Sequence, residues 1–196
     1  MPFFGDYQKY RPYLRADFLS HCAYCTGHEN ELGGSDHFDI DHWRPKSKFP
    51  SLINIYRNLY YSCRGCNKRG AKGEHWPNRA LIKAGYRFFD PCSENAYVEH
   101  MYETKRGHLK IRTPVGEYSI KRLRLNREGL VILRRNRASM RRLLKRELKK
   151  LLAELTRIKS CSRVPSKATL IRLQQIRVHL KTNPVLCLLP EWWNSC

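Results

Sequence analysis

From Met140 to Ile158 apolar residues recur at steps of three and four: Met140, Leu144, Leu148, Leu151, Leu155 and Ile158, with Leu143 and Leu152 widening the stripe. That period puts them on one face of an α-helix, and packing of a core or of a helix pair accounts for the stripe. The remaining faces carry Arg141, Arg142, Lys145, Arg146, Lys149 and Lys150, opposed by Glu147 and Glu154. Pro165-Ser166 opens a second amphipathic stretch to about Lys181, with Leu170, Leu173, Ile176 or Arg177, and Leu180 on one face. The short link from Cys161 to Pro165 predicts an antiparallel helical hairpin. Further upstream, between Val98 and Ile111, apolar positions alternate around Lys105-Arg106-Gly107, the pattern of a β-hairpin. A helical pattern starts after Asn126, read here as its N-cap. A short helix is expected from Tyr7 to Phe18, and residues 22–76 show little helical period until after Cys66. The final VLCLLPEWWNSC is apolar; packing back on the domain and docking on a partner both remain open for it.

Length and charge narrow the classes. The 196 residues suit one domain, or a compact domain with an appendage. No apolar run reaches the roughly 20 residues that span a bilayer. The first residues, MPFFGDYQKYRPYLR, lack the apolar stretch of a secretory leader, so a soluble, cytoplasmic protein is expected. The net charge of +21 is uneven: residues 1–100 hold 14 basic and 11 acidic side chains, whereas residues 101–196 hold 24 and 6. A half that basic attracts a polyanion, because neutralising phosphates releases condensed counterions. Nucleic acid is the expected partner.

Four of the eight cysteines form two CxxC pairs, Cys22/Cys25 and Cys63/Cys66, and the others are scattered. In an intracellular chain that pattern points to metal rather than disulfides. Each CxxC turn brings two sulfurs to one side, so the pairs together suit one tetrahedral zinc ion. Such a closed four-thiolate site is structural rather than catalytic.

The residues between the pairs add chemistry. His37-Phe-Asp-Ile-Asp-His42 concentrates Asp39, Asp41 and His42, and Asn58 and Asn67 flank the second pair. This order of an Asp-His doublet, a loop, an Asn, and a final Asn after a Cys resembles the HNH, or ββα-metal, endonucleases over about Cys22–Gly73. The resemblance implies that His42 is the general base, that Asp41 and Asn67 hold a catalytic divalent ion, and that Asn58 ties the loop and orients the base. An imidazole near neutrality suits proton abstraction from water. A carboxylate and an amide oxygen are hard donors that suit Mg²⁺ or Mn²⁺ rather than zinc. In a regular strand Asp41 and His42 would face opposite sides, so both serve one site only if the strand ends there. Asp39 is expected beside the metal site, and Arg44, Lys46, Lys68, Arg69 and Lys72 are expected to meet phosphate around the cleft. Arg141, Arg142, Lys145 and Lys149 are expected to do so on the long helix. Trp43 and Trp76 are read as core aromatics.

Farther on, Phe88-Phe-Asp-Pro-Cys92, Leu123-Arg-Leu-Asn126 and Arg134 resemble the extended HNH proteins of Septu-type and retron-associated antiphage systems, which implies an ATPase partner. The expected fold is α+β: a ββα-metal core with a zinc knuckle in residues 1–92, then a hairpin and basic helices in 93–196. The expected activity is metal-dependent hydrolysis of phosphodiester bonds in DNA. Two alternatives stand beside it: an inactive zinc-stapled nucleic-acid-binding module, and an effector that cuts RNA.

Overall fold

The protein is described here from a computed structural model, in residues 4–68, 70–160 and 165–182. Two compact units are distinguished, one reaching Leu133 and one beginning at Arg134.

The first unit begins with a 3₁₀ turn (Tyr7–Tyr10), whose start is held by the Asp6 carboxylate accepting from the Gln8 N–H at 2.9 Å. Helix α1 (Arg11–Asp17) follows at once, so the expected Tyr7–Phe18 helix divides into two kinds of turn. Tyr10, Leu14 and Phe18 are its buried face, spaced four apart as a helical stripe requires. Strand β1 (Phe38–His42) then pairs antiparallel with β2 (Leu59–Cys63), with Phe38 opposite Cys63, Asp41 opposite Tyr60 and His42 opposite Leu59. β2 is buried at all five positions, and its tyrosines join Tyr24, Phe38, Phe88 and Phe89 in an aromatic core. The chain passes directly from Cys63 into the single-turn helix α2 (Arg64–Asn67), which packs on both strands. This is a ββα arrangement, and the mixed helix-and-strand fold is the one expected.

A buried carboxylate ties these pieces together. Arg15 of α1 binds Glu29 through Nε and Nη2, both at 2.8 Å, and the Tyr61 hydroxyl of β2 donates to the same carboxylate. Burial alone would push the Glu29 carboxyl up; the Arg15 and Tyr61 bonds outweigh it and hold the group below its usual range.

Beyond Gly73 come α3 (Arg79–Lys83), α4 (Ala96–Glu99), the hairpin strands β3 (Met101–Glu103) and β4 (Leu109–Ile111), and α5 (Pro114–Arg122). The hairpin falls where alternation placed it. Met101 and Leu109 join the same core as the ββα residues, as do Val115, Tyr118, Ile120, Leu123 and Leu125. The core of the first unit therefore continues well past residue 92. Helix α5 is capped by the Thr113 hydroxyl on the Gly116 N–H, with Pro114 at its first turn. Gly116 is required there: a Cβ would lie 1.9 Å from the His100 carbonyl oxygen.

Helix α6 (Glu128–Ser160) begins two residues after Asn126. The Asn126 side chain bonds β4, accepting from the Leu109 N–H at 2.8 Å and donating to the Leu109 carbonyl at 2.9 Å. In the second unit, Leu151 of α6 is buried with Leu173 and Ile176 of α7 (Lys167–Thr182), flanked by Leu148 and Leu155. Arg172 and Glu147 pair at 2.8 Å across the same two helices. Ser166 caps α7 on the Thr169 N–H at 3.1 Å. The expected stripe is thus only partly covered, since Met140, Leu143 and Leu152 are exposed. Among the described residues no helix is long and apolar enough to cross a membrane. The apolar C-terminal segment lies outside the described residues.

Candidate active site

Cys22 and Cys25 sit on a tight turn closed by Cys22 N–H to Gly27 carbonyl and Thr26 N–H to Cys22 carbonyl bonds, each 2.9 Å. The Ala23 N–H reaches the Tyr61 carbonyl at 2.8 Å, which docks the turn against β2 and brings it to Cys63 and Cys66. All four cysteines are buried, and their sulfurs lie within 4.8 Å of one another. Cys25 and Cys63 are 3.8 Å apart. A tetrahedron with Zn–S bonds of about 2.3 Å has S···S edges of about 3.8 Å, so this set fits a zinc ion of the structural kind. Hydrogen bonds with Cys22, Cys25 and Cys63 push the Cys66 thiol well up, whereas Cys22, against the effect of its burial, is held well down by its bonds to the other three.

A cation from a distant part of the chain also faces this cluster. Arg127 donates to Cys66 Sγ at 3.5 and 3.6 Å and to Cys63 Sγ at 3.6 Å. It reaches them because residue 65 is glycine: a Cβ there would lie 2.8 Å from the Arg127 Nη2. Four thiolates around one divalent ion leave excess negative charge, which the guanidinium offsets.

β1 ends at His42, and Asp41 and His42 go to different neighbours, as alternation requires. The His42 Nε2 lies 3.0 Å from the Ile53 carbonyl oxygen, and its ring packs edge-on against Tyr7 at 4.7 Å. A carbonyl only accepts, so Nε2 carries the proton and Nδ1 is left as the basic nitrogen. Burial lowers the His42 pKa below the usual 6.5, with the Ile53 carbonyl and Asp41 pulling the other way. The ring is therefore neutral at neutral pH.

Asn58 closes the loop behind this histidine. Its Oδ1 accepts from the Arg44 N–H at 2.9 Å and its Nδ2 donates to the carbonyls of Arg44 at 3.1 Å and Leu52 at 3.3 Å. The Trp43 N–H adds a bond to the Asn58 carbonyl at 2.9 Å. The residues on either side of the loop are thus clipped together directly after His42.

Asp41 is buried, with the Tyr24 hydroxyl donating to Oδ2 and the Lys72 ammonium 3.0 Å from Oδ1 and 2.9 Å from Oδ2. Lys72 also donates to the His42 carbonyl at 2.6 Å. Burial pushes the Asp41 carboxyl up, while Lys72 and Tyr24 pull it back. Here the sequence expectation needs correcting: Lys72 is completely buried and serves Asp41, so it is not a cleft-lining contact for phosphate. It arrives there because its own N–H bonds the Cys66 carbonyl at 3.0 Å, folding the chain after Asn67 back over β1. Asn67 itself is half-buried at the last position of α2.

The other expected residues are more dispersed. Asp39 is half-buried on the Arg64 side, with the Arg64 Nε at 3.3 Å. Arg44, Lys46 and Lys68 are exposed. Arg44 lies among the rings of Trp43, Phe49 and Trp76 at 5.6–5.9 Å, and Lys46 lies over Tyr7 at 5.5 Å. Trp43 and Trp76 pack edge-on against each other and, half-buried, against the core. A cavity of about 550 Å³ opens along Gly70, Gly73, Glu74 and His75, in the loop after α2. Arg69 lies outside the described residues. In the second unit Arg142, Lys145 and Lys149 are exposed and Arg141 is half-buried.

Two residues of this region, Tyr24 and Arg127, carry roles that the sequence does not announce, and Lys72 carries a different one from that expected. Tyr24 was visible inside its CxxC pair, but its hydrogen bond was not. Lys72 stood in a basic run that looked like surface. Arg127 lies 61 residues from Cys66, with no local signal to link them.

Residues 22–72 match the family model for the HNH endonuclease. The chain is also 35% identical over 69 residues to the Septu protein PtuB of Bacillus thuringiensis, covering 33% of this chain. It spans only a quarter of that relative's length, 25%.

Proposed function

With residues 22–72 an HNH endonuclease domain, we propose that this chain hydrolyses phosphodiester bonds of DNA, with His42 as general base. The observation that carries this reading is the setting of His42. Its Nε2 is tied to the Ile53 carbonyl, its Nδ1 is left basic, and burial keeps it neutral. In the proposed reaction Nδ1 takes a proton from water as that water attacks phosphorus, and the P–O3′ bond breaks to leave a 5′-phosphate and a 3′-oxyanion, which takes a proton from solvent water to become the 3′-hydroxyl. Asn58 keeps the loop behind the base closed, a positioning role. Asp41 and Asn67 would hold Mg²⁺ or Mn²⁺ through hard oxygen donors; when bound, the ion polarises the scissile phosphate and stabilises the leaving oxygen. Cys22, Cys25, Cys63 and Cys66 would hold zinc as a staple. Exposed Arg44, Lys46 and Lys68, with Arg142, Lys145 and Lys149 of α6, would contact the phosphate backbone. Similarity to the Septu protein supports a place in antiphage defence. The resemblance of Phe88–Cys92 and Leu123–Asn126 to extended HNH proteins adds an ATPase as the proposed partner.

A second reading has one observation in its favour. Both Asp41 oxygens already carry donors, from Lys72 and Tyr24, which suits a nucleic-acid-binding module without catalysis. Plasmid DNA and structured RNA incubated with the protein, in Mg²⁺ or in EDTA, separate these possibilities. The proposal expects DNA cut in Mg²⁺ alone. Cutting confined to RNA makes the chain an RNA-cleaving effector. Tight binding with no cutting, even with the ATPase supplied, makes it a binding module.

A further inference from the structure

The β3–β4 hairpin carries a concave surface outside the 22–72 domain. Its cavity, about 540 Å³, is lined by Thr104, Lys105, Arg106, His108, Lys110 and Asn126. From Thr104 to Arg112 the chain reads TKRGHLKIR, with four Lys or Arg, one His and no carboxylate. Lys105, Arg106, His108 and Lys110 are all exposed, and among the described residues no carboxylate pairs with any of the four. Like charges gathered this closely repel, and a bound polyanion relieves that repulsion.

The backbone beneath them is fixed. The Thr104 N–H bonds the His108 carbonyl at 2.8 Å, the Gly107 N–H returns to the Thr104 carbonyl at 2.9 Å, and the Thr104 hydroxyl accepts from the His108 N–H at 3.1 Å. Gly107, at φ +81, supplies the left-handed turn. The two Asn126 bonds to Leu109 anchor β4 from below. A cationic turn ordered in advance loses little further entropy when it meets a ligand. On the strands, Lys110 lies directly opposite exposed Tyr102, and the Arg112 guanidinium sits 4.9 Å from that ring. Cations interleaved with an exposed aromatic suit nucleic acid, with the cations meeting the phosphates.

We infer that the tip and outer face of the β3–β4 hairpin form a nucleic-acid phosphate-binding site, used to grip the substrate apart from the residues that cut it. This rests on the reading of the chain as a nuclease. The test uses full-length protein carrying His42→Ala, so that substrate survives, and measures its affinity for a labelled DNA duplex by fluorescence anisotropy across a KCl series. Adding Lys105→Ala, Arg106→Ala and Lys110→Ala should weaken binding by about tenfold or more at low salt and reduce the slope of log K against log[KCl] by about 3. The pair Lys105→Arg and Lys110→Arg should retain both. Circular dichroism and zinc content verify that each variant is folded. If the parent binds with a steep salt dependence and the triple variant matches it in affinity and slope, the hairpin site is wrong and the nuclease reading stands. The hairpin site is equally wrong if the triple variant keeps DNA binding and loses only an acidic protein partner. If the parent binds no nucleic acid and the unsubstituted protein cuts none, both readings fall.

Discussion

In the ββα region, buried positions hold Asp41, His42, Asn58, Ser62 and Lys72 as well as tyrosines, each polar group with a named partner. In the unit that begins at Arg134, the buried cluster of Leu151, Leu173 and Ile176 is small and aliphatic, and Lys145, Arg146, Lys149 and Lys150 stand in solvent. The two regions therefore depend on charge in different ways. Inside the first, a charge is tolerated only because a specific neighbour meets it, so removing one member strands the other. On the second, an exposed cation such as Lys145 or Lys149 has an effect that is small, additive and sensitive to salt.

That contrast can be broken or sharpened by substitution. The largest effect belongs to the cysteine cluster. Cys63→Ser should release the bound zinc and unfold the first unit, a loss on the order of 10 kcal/mol of metal-coupled stability. Metal analysis and far-ultraviolet circular dichroism report it; a folded, metal-free variant would contradict the staple. Next comes Lys72→Met, which leaves the Asp41 carboxylate buried without its ammonium and should destabilise the unit by about 3–5 kcal/mol in urea titrations. A neutral result would mean that Asp41 finds another cation or is protonated. Arg127→Gln removes the guanidinium from Cys63 and Cys66 and should weaken zinc binding about 10- to 100-fold in chelator competition, with little change in fold. The smallest change in stability is expected for Lys145→Ala with Lys149→Ala, within about 0.5 kcal/mol of the parent. The same pair should lower the salt slope of nucleic-acid binding by about 2. A large loss of stability there would show that the helical charges are not independent.

How much of this was legible depended on how local the signal is. The two CxxC pairs, the Asp-His doublet, the β3–β4 alternation and the Met140–Ile158 period are short-range patterns, and the corresponding elements stand close to where those patterns put them. Helix α5 has a local start signal in Thr113-Pro114, but its nine residues are too few for a clear period. Asn126 reads as a cap by position, and its side chain also bonds β4, a contact 17 residues away that no local rule records. Lys72 and Arg127 failed for the same reason at longer range. Their partners, Asp41 and Cys66, are 31 and 61 residues distant, and only the folded chain sets the pairs together. A lysine in a Gly-rich basic run reads as surface until the backbone bond to Cys66 turns it inward.

The central claim concerns the chemistry that the buried polar region performs, and the single-turnover cleavage rate of DNA in Mg²⁺ by His42→Ala tests it most directly. With zinc content, fold and DNA affinity matching the parent, the rate should fall about 10²- to 10⁴-fold, the usual contribution of a general base. A variant that cuts as fast as the parent would contradict the account, because Nδ1 of His42 would then not be the group that takes the proton.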